Sequence, residues 1–298
     1  MISTFHPSVI LCTHENWDDE KYQEKFLTNL IYHLSKIKEM KIKIAWCKEI
    51  ESILWNDPPW LHYHAEPMLI ETFYEIISNS IPFNPPPNNE CNMIPILPVD
   101  YSFEVKTDWL ILLHRIAHKH TDVFIVTSLN VDTEITSTNV WCDCRSGCNK
   151  YNYKVINDPT EWYKKIDYLT LCPKDSDNWD RGFLLALKAC YKQEFSTIIL
   201  KNKIENVEMS RNFKKSFIDI DDERTKKKII IAIVQRLTYT KAEAGRHRGL
   251  RDEKIRGKRN EYSFRVSDVE RIHYTLLEEG KMLLLDYHPG SEHDSRCK

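Results

Sequence analysis

Two rhythms of apolar residues alternate along the first two thirds of the chain. Tyr22, Phe26, Leu30, His33, Leu34 and Ile37 recur at helical spacing, after an Asn16–Asp19 stretch able to cap a helix. Lys41–Cys47 alternates as a strand, and Glu49–Trp55 opens a second helix. A short apolar run, Ser8–Cys12, reads as a buried strand ahead of both. Met68, Ile70, Phe73, Ile76 and Ile77 mark a helix within residues 67–81. Residues 81–90, rich in Pro and Asn, read as a loop or polyproline-like excursion. Trp109–His118 reads as a helix and Asp122–Ser128 as a buried strand. Tyr168–Cys172 is a weaker strand pattern, and Arg181–Cys190 is helical, with Phe183, Leu184, Leu187 and Tyr191 on one face. Strand and helix in alternation predict an α/β domain with parallel pairing.

The rhythm changes near the C-terminus. Tyr262, Phe264 and Val266 alternate with Ser263, Arg265 and Ser267, a period of two that puts Ser263 and Arg265 on one strand face. Arg271–Leu277 and Lys281–His288 flank a turn at Glu278, Glu279 and Gly280 and read as a hairpin. The expected fold class is therefore an α/β N-terminal domain followed by a small α+β domain.

Charge sharpens this division. The formal net charge is −2, yet residues 201–298 hold 23 Lys and Arg against 17 Asp and Glu, and residues 1–200 hold 19 against 27. An acidic domain over residues 1–203 and a basic one over 204–298 follow, and a basic domain of this kind suits nucleic acid. Arg246, Arg248, Arg251, Lys254, Arg256, Lys258 and Arg259 crowd the approach to the hairpin, where they form a phosphate-binding surface. No apolar run reaches the length of a membrane span, and no secretory signal is expected from the first residues. Nine Cys, an odd number scattered through a large chain, fit reduced thiols in a cytoplasm.

The C-terminal motifs follow a recognisable order. Met209–Leu237 supplies an opening strand and a helix pair. Lys254, Ile255, Arg256 and Gly257 come next, then Phe264–Asp268, Arg271–Tyr274 and Leu283–His288. In this order residues 204–298 resemble the RelE/ParE toxin superfamily, and within it the RelE-type ribonuclease toxins. The first motif stands for the family's Lys-Leu-Arg-Gly, and the last three for its strands. Two departures stand out: Ser263 occupies a position where members often carry Lys, and the tail after the last strand offers only His293 and Arg296 in place of the usual final Tyr or Arg.

The resemblance implies a helix pair on an antiparallel sheet and an mRNA interferase that needs no metal or cofactor. Cleavage would be attack of the 2′-hydroxyl on the adjacent phosphorus. This takes a base for the 2′-proton, cations for the phosphate charge and an acid for the departing 5′-oxygen. Arg265 and Arg271 take the charge-stabilising role and His288 that of general acid or base, its ordinary pKa suiting either. Lys254, Arg256 and their basic neighbours grip RNA, either free mRNA or mRNA on the ribosome. The alternative is a non-cleaving nucleic-acid-binding domain that keeps the sheet. The fused N-terminal domain suggests a sensor or regulator in a toxin or antiphage-defence setting, an analogy from fused architectures. Its trigger, a small molecule or a protein, is expected at the strand ends near Cys12–Asn16, Cys47–Glu49 and Thr127–Asp132.

Three further constellations remain open. Cys142, Cys144 and Cys148, with Cys172, invite a zinc reading, although their spacing is not that of a knuckle pair; ordinary thiols are the alternative. His114 and His118 lie four apart on a helix, without the Glu of a zinc helix. Glu49 and Thr127–Asp132 faintly resemble the strand-end acids of PIN-type metal-dependent nucleases, but Cys12–Glu15 lacks the Asp expected after the first strand.

Overall fold

Parallel strands covered on both faces need apolar residues at almost every position. In the first sheet of the computed structural model Val123–Val126 meets that demand in full, while Ile2–Phe5 buries Ser3 and Thr4 at its middle. The structure describes residues 1–6, 9, 19–56, 58, 60, 66–82, 109, 111–113, 115–116, 122–127, 153–172 and 178–290. They form two compact units, Met1–Lys165 and Ile166–Lys298. The second unit thus takes in residues 166–203, ahead of the start at 204 drawn from charge and motif order.

In the first unit, β1 (Ile2–Phe5), β2 (Lys43–Ile44), β3 (Val123–Val126) and β4 (Lys154–Ile156) make an all-parallel sheet in the order β2-β1-β3-β4. All four residues of both β1 and β3 are buried. The order reverses between β1 and β3, so the crevice outside their carboxyl ends is where ligands of such sheets bind. His6 and Thr127, both buried, sit at that edge. The neighbouring Cys12–Asn16 and 128–132 lie outside the described residues, as does the Glu49 side chain, so the PIN-like layout is not described.

The helices follow their periodicity. Helix α1 (Glu20–Glu39) starts where Asp19 accepts a hydrogen bond from the Lys21 amide, and it buries Phe26, Leu27, Leu30, His33, Leu34 and Ile37. Helices α2 (Lys48–Asn56) and α3 (Pro67–Ser78) fall where expected, and Pro67 suits a first helical turn. The described part of Trp109–Ile116 is helical. Two expectations are corrected. The first strand is Ile2–Phe5, whereas Val9 is helical. Tyr168–Leu171 is a 3-10 turn, because the Asp167 side chain accepts from the Leu169 amide and starts a turn where an alternating strand was expected.

The second unit is α+β. Strands β5 (Val207–Met209), β6 (Glu253–Lys254), β7 (Glu261–Arg265), β8 (Arg271–Leu276) and β9 (Met282–His288) form a mixed sheet in the order β5-β9-β8-β7-β6. Strand β5 runs parallel to β9, and the other pairs are antiparallel. Following the short α4 (Trp162–Lys165) of the first unit, the helices of the second are α5 (Trp179–Glu194), α6 (Arg211–Ile218), α7 (Glu223–Leu237) and α8 (Lys241–Arg246). Trp179, Phe183, Phe213 and Phe217 pack ring on ring between α5 and α6, with centroids 4.7–6.4 Å apart. Among the described residues no helix is long and apolar enough to cross a membrane.

A buried histidine makes the first unit sensitive to acid. The Trp162 indole donates to His33 Nδ1 at 3.1 Å, and burial lowers the imidazole from 6.5 to about 4 against the weaker pull of Asp158 and Glu161. The unfolded chain takes up this proton below pH 6.5, but the folded chain resists until about pH 4. Stability present above pH 6.5 is therefore lost as pH falls through that window, by about 3 kcal/mol in full. Chemical unfolding at a series of pH values should show this slope, and His33→Gln should flatten it. Parallel profiles for parent and variant would count against the assignment.

Candidate functional site

The face of the second sheet opposite the helices is set by one irregularity. Positions 282, 284, 286 and 288 share a period-two phase, so a regular strand would turn Asp286 and His288 toward the core with Met282 and Leu284. The pairing breaks: Tyr274 lies opposite Leu284, but His273 lies opposite Asp286. Leu285 is the extra residue of a β-bulge, and the bulge reverses the phase of the strand. Met282, Leu284 and Tyr287 are buried with the core, while Asp286 and His288 join His273 and Arg271 on the other face. Ser210 clamps the irregularity. Its amide donates to the Leu284 carbonyl at 2.9 Å and its hydroxyl to the Leu285 carbonyl at 2.5 Å. The same oxygen accepts from the Phe213 amide and caps α6.

A cleft of about 300 Å³ opens beside the bulge. Ser210 and Asn212 line it from the start of α6, Lys258 and Glu261 from the β6–β7 turn and β7, and His273, Asp286 and His288 from the central strands. The imidazoles of His273 and His288 lie with ring centroids 3.9 Å apart and planes tilted by 40°. His288 Nε2 is 3.7 Å from Asp286 Oδ2, and Lys258 Nζ is 3.4 Å from Glu261 Oε1. Two imidazoles, with a carboxylate and an ammonium alongside, can run general acid–base chemistry on a bound anion.

The residues singled out as catalytic fall in one register row. Arg265 lies opposite Arg271, and Arg271 opposite His288. Only His288 of the three lines the cleft. Arg271 is 9% exposed, pairs with Glu253 at 2.9 Å and lies 3.4 Å from the Ser263 hydroxyl. The polar face of β7 is accordingly covered, and Ser263 is buried as well. Arg265 reaches the exposed Asp268 at 3.6 Å. His273, Asp286 and Ser210 were not singled out in the sequence. A signal existed for the first two: His273 lies two residues from Arg271, and Asp286 two from His288, so each shares its partner's face.

The predicted RNA-binding cations form a single surface segment. Arg246, Arg248, Arg251, Lys254, Arg256, Lys258 and Arg259 are all exposed. Gly257, at φ 79°, makes the turn between β6 and β7 in a conformation glycine adopts without strain. One acidic residue in the segment is wholly buried and fastens it. Asp252 lies 2.6 Å from both Arg236 Nε and Lys241 Nζ, and the Tyr274 hydroxyl donates to its carboxylate at 2.8 Å. Burial raises the Tyr274 phenol well above its ordinary range and lowers the Lys241 ammonium. The Lys241 ammonium also stands 3.8 Å from the Tyr262 ring centroid, a cation–π contact.

No protein-family model and no curated protein matches the chain.

Of the zinc candidates, Cys142, Cys144 and Cys148 lie outside the described residues, as do His114, His118, His293 and Arg296. Cys172 is half-buried, and burial pushes its thiol up to about 12, against the thiolate that zinc requires. Among the described residues no cluster of His, Cys, Asp or Glu is arranged to hold a metal.

The Asp252 anchor yields a prediction. Asp252→Ala strands the buried Arg236 guanidinium and should cost about 3–5 kcal/mol, the usual penalty for breaking a buried ion pair. Urea unfolding read through the second unit checks this. A cost below 1 kcal/mol would show that the network holds nothing in place.

Proposed function

We propose that this chain is an endoribonuclease effector, an mRNA interferase of the RelE-like kind, joined to a regulatory or sensor domain in a toxin or antiphage-defence setting. One observation carries the reading: a segment of seven exposed cations includes Lys258, which lines a cleft together with two imidazoles and two carboxylates. The cations would track the phosphate backbone. The imidazoles would move the 2′-proton and protonate the departing 5′-oxygen. The order of strand, helix pair and antiparallel strands in the second unit also agrees with the motif order that suggested the family. In this reading Lys258 and Arg265 stabilise the crowded phosphate charge, and the buried Arg271, paired with Glu253, supports the sheet face on which His288 lies. The first unit, with its reversal of strand order at β1 and β3, takes the regulatory role.

A second reading has its own observation. Arg271 is committed to Glu253, and Arg265 does not line the cleft. A sheet that binds nucleic acid without cutting it would look the same there. The experiment that separates the two is cleavage of mRNA by the purified full chain, in buffer and in a translation reaction. His288→Ala should slow cleavage by about 10²–10⁴-fold, and Arg265→Ala or Arg271→Ala by about 10²-fold. The affinity for RNA should fall steeply with salt, and neutralising each exposed cation should flatten the log–log slope by somewhat under one unit. Steep salt dependence without cleavage in either assay supports the non-cleaving binder. A salt-independent affinity contradicts both readings.

A further inference from the structure

We infer that His273 and His288 work as a couple, with His273 the general base and His288 the general acid, and with Asp286 the residue that positions His288. This rests on the RNA-cleavage reading. It adds a catalytic residue on β8 and divides the proton transfers between the two rings.

Ring centroids 3.9 Å apart leave no room for water between the imidazoles. Two imidazolium ions that close repel, so the pair holds one proton more readily than two. A pair of that sort is the state an acid–base couple needs at the start of a turnover. Asp286 decides which ring keeps the proton. Its carboxylate lies 3.7 Å from His288 Nε2, and the Tyr287 amide donates to its other oxygen at 2.9 Å and fixes its direction. Among the described residues, the other charged groups facing the pair are already engaged with one another. Arg271 pairs with Glu253, and Lys258 with Glu261. From α6 only Ser210 and Asn212 reach the cleft, and both are neutral. On the next strand Glu208 pairs with Lys281 at 3.5 Å. The carboxylate beside it assigns the proton to His288, and the more exposed His273 is the ring that meets the nucleophile.

The atoms balance. His273 takes the proton of the ribose 2′-hydroxyl as the 2′-oxygen bonds to phosphorus. The bond from phosphorus to the 5′-oxygen breaks, and that oxygen leaves with the proton of His288. The products carry a 2′,3′-cyclic phosphate and a 5′-hydroxyl. Exchange with solvent returns both rings to their starting states.

Two substrates test the division of labour on the full chain: an oligoribonucleotide, and the same sequence with sulfur replacing the scissile bridging 5′-oxygen. A thiolate leaves without a proton, so loss of the acid does not slow its departure. His288→Gln should cut the oxygen substrate about 10²–10⁴-fold more slowly than the parent, yet cut the sulfur substrate within about tenfold of it. His273→Gln should be slow on both. Titration of the imidazole NMR signals adds a readout independent of cleavage. His288→Gln should raise the His273 pKa by about one unit or more, because a neighbouring positive charge has gone. The couple is overturned if His273→Gln cleaves the oxygen substrate at the parent's rate, if both variants lose equally on both substrates, or if the His273 titration does not move. A parent that cleaves neither substrate overturns the nuclease reading itself and this assignment with it.

Discussion

The second unit depends on a single extra residue in its last strand. Leu285 takes a strand whose alternation would point Asp286 and His288 into the core and sets both on the face of His273 and Arg271, where they line the cleft. Such a bulge leaves backbone groups out of the ladder, and Ser210 meets that cost by donating to the Leu285 carbonyl. Because Ser210 also caps α6, the helix start, the bulge and the cleft are built as one piece. Asn212 enters the cleft on that helix, and His273 on the strand facing the bulge. An unbulged β9 would lose the site and turn Asp286 and His288 into the hydrophobic core.

The basic segment is held by a different device. Like charges along one stretch repel, and in water they would favour an extended, mobile chain. Here the segment is fixed at Asp252, whose carboxylate gathers Arg236, Lys241 and the Tyr274 hydroxyl in a buried cluster. The cluster spends two cations of the helices on internal pairing and leaves the seven of the segment facing solvent. A second acid, Glu253, reaches back to Arg271. The row Arg265, Arg271 and His288 is thus anchored to the strand that begins the basic turn.

Much of this was legible in the chain, for a physical reason. Long helices bury a stripe, so the spacing of Phe26, Leu30, Leu34 and Ile37 gave α1, and the strong alternation around Phe264 gave β7. A strand of three residues such as β4 carries too few positions for a period to show, whereas the alternation over Lys41–Cys47 already marked β2. The cap at Asp167 decided a 3-10 turn where apolar content suggested a strand. Helix α8 went unnoticed although Thr240 and Glu243 form a capping box, a pattern that can be read directly. The site was only half visible. His288 and the two arginines came from motif order, and the ladder sets them side by side. His273 was missed because a lone histidine in an apolar strand looks like core. The roles of Leu285 and Ser210 depend on strand pairing, which no local pattern encodes. Asp252 was hidden in the opposite way: one acid among many cations looks like diluted charge, and only burial shows it to be their anchor.

In the proposed function, bound RNA would be cut by its own 2′-hydroxyl, with the chain's imidazoles moving the protons and its cations balancing the phosphate. The ends of the cut RNA record that chemistry directly. Mass spectrometry of RNA fragments, made by the full chain in the presence of a chelator, should find 2′,3′-cyclic phosphate or its opened phosphate on one side of each cut and a 5′-hydroxyl on the other. Fragments ending in a 3′-hydroxyl and a 5′-phosphate, lost with chelator and restored by magnesium, would contradict the account.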